Sequence, residues 1–101
     1  MEPALQFEPR VLAVRALCHF ADIRSNPDET DAIQSARVRA ARHLLHDETD
    51  QGIELLLATM QRNARFAREQ GRKDLLEAFH LAPADAPSVI NARRKLASLI
   101  H

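Results

Sequence analysis

The stretch Asp50–Gln70, DQGIELLLATMQRNARFAREQ, decides the class of this chain. Ile53, Leu56, Leu57, Met60, Ala64 and Ala67 fall at the i, i+3, i+4, i+7 spacing that gathers apolar side chains on one face of a helix. Asp50 and Glu54 stand at its start. Arg62, Arg65 and Arg68 follow towards its end, with Arg72 beyond, an order that the helix dipole favours. The pattern predicts a single third helix over this stretch, ending near Gly71, which suits the left-handed position just past a helix C-terminus.

Two residues of the stretch stand apart from the stripe. Leu55 and Phe66 lie about 20° from each other on a helical wheel and almost opposite Ile53 and Met60. The stripe is complete without them, so they form a second apolar spot. Arg62, Arg65 and Arg68 lie between spot and stripe, as charged residues edge an interface core. The expected partner-binding set is therefore Leu55, Phe66, Arg62, Arg65, Arg68 and Arg72, unless helix three is sandwiched between layers within the monomer.

Outward from this stretch the rest of the chain is also helical. Pro9 fits the first turn of a helix, and helix one is expected from about Pro9 to Arg24, after a loose arm over residues 1–8. Phe7, Val11, Val14, Cys18 and Ala21 share one side of it, and Leu12, Phe20 and Ile23 another. Arg15, His19 and Asp22 make a narrow polar strip. So much apolar surface suits a helix that is central or covered by a partner. Ser25 or Asn26 would cap helix two, with Pro27 at its first position and Asp28, Glu29 and Asp31 near its positive end. That helix is expected over about Pro27–His46, burying Ile33, Ala36, Ala40 and Leu44 with Leu45 beside them. Thr49 or Asp50 would cap helix three. A short helix four is expected over about Lys73–His80, with Leu75, Leu76 and Phe79 on its apolar side. Asp85 or Ala86 precedes helix five, about Pro87–Leu99, which buries Val89, Ala92, Leu96 and Ile100.

With 101 residues, 46% hydrophobic and 28% charged, the chain makes one domain with one core. Two glycines and five prolines commit little of it to turns. The expectation is an all-α, single-domain bundle over 1–101, four main helices plus one short. Fourteen basic and fourteen acidic residues leave no net charge. That argues against strong non-specific attraction to DNA or an anionic membrane, though not against a local basic patch. One cysteine, Cys18, excludes an intrachain disulfide. The N-terminal residues lack the basic and apolar regions of a signal peptide, and no apolar run reaches the ~20 residues of a membrane span. These features predict a cytoplasmic protein.

Gly71, Ala78 and Pro83, with the Leu-Ala-Pro that closes helix four, resemble the second half of a tetratricopeptide motif over roughly 15 residues. The preceding helix departs from the motif's first half and no second copy is visible. The resemblance implies a helical scaffold that binds proteins.

The candidates for chemistry are few. His43 with His46, and Glu77 with His80, offer two i, i+3 ligand pairs, the spacing from which some bundles build metal sites. Glu77 and His80 fall away from Leu75 and Phe79 and are expected to face water, so no metal is expected. His46-Asp47 is a dipeptide found in helical metal-dependent phosphohydrolases, for which His19 and Asp74 or Asp85 would be the further ligands. Helix two ends there, and the chain is short for that fold. Cys18 and His19 diverge by about 100° as neighbours on a helix, so Cys18 is expected as a small buried hydrophobe rather than a nucleophile. There is no glycine-rich phosphate loop.

The expected function is thus non-enzymatic and without cofactor: binding of a protein partner, or self-association, through an apolar patch edged by arginines. The alternative is nucleic-acid binding through the basic faces of helices three and five, where Asn91, Arg94, Lys95 and Ser98 are of the types that read phosphates and base edges.

Overall fold

The computed structural model describes residues 9–25 and 31–99. The expected arm over 1–8, the cap candidate Asn26 with Pro27, Asp28 and Glu29 after it, and Ile100 lie outside them. Among the described residues there are six helices and no strand: α1 Pro9–Arg24, α2 Ala32–Leu45, α3 Thr49–Arg62, α4 Ala64–Arg68, α5 Gln70–Phe79 and α6 Pro87–Leu99. The all-α expectation holds.

Helix α3 is the centre. It packs most extensively on α2 and also meets α4, α5 and α6, while α1 lies on α2 and touches α5. The helices α2 and α3 form a tight hairpin. Asp47 turns it with φ of 62°, a left-handed conformation that aspartate tolerates better than most side chains. Gly52 lets the two helices close up, since a Cβ there would stand 2.6 Å from Leu44 Cγ and 3.2 Å from the Ala40 carbonyl oxygen. The core draws Phe20 and Ile23 from α1, Val38 and Leu44 from α2, and Ile53, Leu56, Leu57 and Met60 from α3. Phe66, Leu75, Phe79, Val89 and Leu96 complete it from the C-terminal helices.

The structure corrects the helix expected over Asp50–Gln70. The chain leaves helical geometry at Asn63 (φ −142°, ψ 101°), whose side-chain oxygen accepts from the Phe66 N–H at 2.9 Å and so caps α4. It turns again at Glu69 (φ −112°, ψ −103°). These two turns carry Phe66 from the outer side of an imagined straight helix into the core, where it is 6% exposed. Ala64, expected in the buried stripe, is exposed, whereas Ala67 is buried. Gly71 is not a C-terminal stop. It sits inside α5 without a positive φ, and a Cβ there would lie 2.7 Å from the Phe66 carbonyl oxygen. Its role is close approach of α5 to α4.

Other boundaries shift. Helix α2 is capped by Asp31, in extended geometry, which accepts from the Ile33 and Gln34 amides at 2.9 and 3.4 Å. Helix α3 follows Glu48, which makes no side-chain cap, while Asp50 accepts from Ser88 Oγ of α6 at 2.6 Å. On α1 the faces are exchanged. Ala16, Phe20 and Ile23 are buried, whereas Val11, Val14, Leu17 and Cys18 are exposed. Cys18 is therefore not the buried hydrophobe expected. The polar strip of Arg15 and His19, which periodicity assigns to water, faces α5 instead.

Candidate functional site

A buried carboxylate organises the seam between α1, α2 and α5. Asp74 is 0% exposed. It accepts from Arg37 through Nε at 2.6 Å and Nη2 at 3.0 Å, from Gln70 Nε2 at 3.1 Å, and from His19 Nε2 at 2.9 Å. Two parallel bonds from one guanidinium are the strongest form of such a pair. An ionised carboxylate only accepts, so His19 carries its hydrogen on Nε2. Four donors on one buried group fix the relative placement of the three helices. No sequence signal singled out Asp74 as buried, and the metal-ligand role considered for His19 with Asp74 or Asp85 did not predict this ion pair. The partner residues of the dipeptide reading are elsewhere. His46 Nδ1 donates to the Arg42 carbonyl at 2.6 Å, at the α2–α3 turn.

Above this network runs a groove of about 560 Å³ between α1, α5 and α6, lined by Arg15, His19, Lys73, Leu76, Glu77 and Arg93 among others. Glu77 and His80 both line it and are half-buried, rather than facing water as expected. Glu77 Oε2 holds Arg15 Nη2 at 3.1 Å, and its Oε1 is buried with no hydrogen-bond partner. Arg93 stacks on Phe79, its guanidinium carbon 5.0 Å from the ring centroid, an arrangement that orients the cation. A shallower continuation of about 260 Å³ adds Arg72 and Leu96.

A second groove, about 650 Å³, lies between α2 and α3. Ile33, Ala36, Leu55 and Ala58 make its apolar floor, and Arg39 and Arg62 stand at its edges. Both arginines are exposed and neither has an ion pair among the described residues. Here lie two of the residues expected to bind a partner, Leu55, which is half-buried, and Arg62. The remainder of that set disperses. Phe66 is in the core, Arg65 pairs with Glu69 at 3.5 Å on the surface, Arg68 is exposed on α4, and Arg72 belongs to the α5–α6 groove. Arg39 was missed by the sequence reading, because α2 was judged there by its buried face alone. Asn91, Arg94, Lys95 and Ser98 are all exposed along α6.

No group of three or more histidine, cysteine, aspartate or glutamate side chains among the described residues is placed to hold a metal ion. His43 Nδ1 is taken up by Glu48 Oε1 at 2.8 Å. No helix among those described is long and apolar enough to cross a membrane.

Against known families, the tetratricopeptide repeat matches residues 19–101. No curated protein and no solved structure matches the chain.

Proposed function

The chain belongs to the tetratricopeptide-repeat family, and from that premise we propose that it is a non-catalytic adaptor whose α2–α3 groove takes an amphipathic helix of a protein partner. Proteins of stacked helical repeats present extended surfaces to their partners. The observation that carries the reading is the groove's composition. Small residues in its lining, Ala32, Ala36 and Ala58, let a further helix approach to the 8–10 Å of ordinary helix packing. Ile33 and Leu55 supply the apolar contact, and Arg39 and Arg62, which have no ion pair among the described residues, select acidic flanks on the incoming helix. This is recognition of a helix in a groove. A single cysteine suits a reducing compartment, and a cytoplasmic location is part of this proposal.

The test is a pull-down from native cells with the wild type and with Arg39→Glu/Arg62→Glu. Both changes are on exposed side chains, so the variant should melt like the wild type and lose the partner. Retention of the same partner by a folded variant would refute the assignment.

A second reading rests on α6, which carries Arg93, Arg94 and Lys95 and no acidic residue. Asn91, Arg94, Lys95 and Ser98 would then contact a nucleic-acid backbone. Salt separates the two. Phosphate-backbone binding falls steeply with salt as counterions are released, whereas docking on an apolar floor persists.

A further inference from the structure

The groove between α1, α5 and α6 has a chemistry different from that of the α2–α3 groove. Three formal cations line it, Arg15, Lys73 and Arg93, against one carboxylate, Glu77. Two positive charges are thus left over in a chain whose net charge is zero. Lys73 and Arg93 have no ion pair among the described residues.

Two of the cations and one imidazole are held in place by neighbouring side chains. Arg93 rests on the face of Phe79. Arg15 is held by Glu77, whose other oxygen is buried away from the groove's solvent. His19 is anchored by Asp74, which Arg37 already neutralises. Donors oriented beforehand cost less entropy to engage. The floor between them is apolar, with Leu76 at 38% exposure beside Phe79.

From this we propose that the α1–α5–α6 groove binds a phosphate monoester carried on an apolar or aromatic body. The charge match decides for phosphate over carboxylate. A phosphate monoester bears about −1.5 to −2 charges near neutrality, which meets the two uncompensated cations, whereas a carboxylate would meet one. Arg93 and Lys73 take the phosphoryl oxygens, with His80 and His19 at the margin, and the ester body lies on the exposed Leu76. A metal cation is disfavoured by the same charges. The site is separate from the proposed helix-binding groove, so either stands if the other fails.

The imidazoles supply the readout. Histidine ring resonances of the full chain are followed by NMR while phenyl phosphate, inorganic phosphate and benzoate are titrated in turn. Phenyl phosphate should move His19 and His80, which line the groove, and leave His43 and His46, which lie at the α2–α3 turn. It should bind more tightly than inorganic phosphate, which lacks the apolar body, and than benzoate, which lacks the charge. Lys73→Gln and Arg93→Gln should each weaken it about tenfold, the worth of a charge-assisted hydrogen bond, and Arg62→Gln should not. A phosphotyrosine tripeptide distinguishes sources: binding equal to phenyl phosphate assigns the group to a protein side chain, and its exclusion assigns a small molecule. Equal shifts at His19, His43, His46 and His80, undiminished affinity in both groove variants, or benzoate binding as tightly as phenyl phosphate would overturn the proposal.

Discussion

Asp74 shows how much one side chain decides. It is fully buried and receives donors from α1, α2 and α5. Removing one partner of such a pair leaves the other charge without compensation, at about 3–5 kcal/mol. Asp74→Ala should therefore destabilise by about that amount in urea or guanidinium titration, and a loss under about 1 kcal/mol would show the network to be incidental. Phe66 makes a second residue-scale prediction. On a straight helix it would face outward and Phe66→Asp would merely weaken association. In the structure it is core, so the same change buries a charge and should abolish the cooperative melt, at several kcal/mol. A folded Phe66→Asp protein with an unaltered melting temperature would contradict the placement.

At the scale of the elements, α1 and α6 and the class of every segment were legible in the sequence, because apolar periodicity and the prolines at 9 and 87 mark them. The breaks at Asn63 and Glu69 were not. Neither is a glycine or proline, and the arginine run continues across both at helical spacing. Asn63 is a strong N-cap type, and that was the available signal. Asn63→Ala should cost about 1 kcal/mol, read as a lowered denaturation midpoint; no change would mean that packing of Phe66 alone sets the α3–α4 break. The buried face of α1 was misjudged for a different reason. The helix has two apolar faces, and periodicity alone cannot say which is buried. The polar strip between them also looked solvated until α5 supplied Glu77 and Asp74 opposite it. The residues expected to form one partner-binding patch disperse for the same cause as α3: that patch assumed a straight helix, and of the set only Leu55 and Arg62 line the α2–α3 groove.

At the scale of the molecule, the chain is a stack of helices around α3, with an extent of 45 × 30 × 24 Å, and it belongs to a family whose repeats bind along their surfaces. Helix α1 shows an outer apolar stripe, Val11, Val14 and Leu17 at 45, 56 and 41% exposure. Val14→Asp should leave the melting temperature unchanged. A fall in apparent mass by light scattering would show that the stripe joins copies, and an unchanged mass would exclude that role for it. The adaptor assignment itself turns on which surface meets which class of molecule. A photoreactive residue at Ala58, exposed in the α2–α3 groove, is compared in native cells with one at Asn91 on the outer face of α6. A discrete protein cross-link is expected from position 58, and it should disappear in the Arg39→Glu/Arg62→Glu background. Cross-links confined to position 91, and made to nucleic acid, would contradict the assignment.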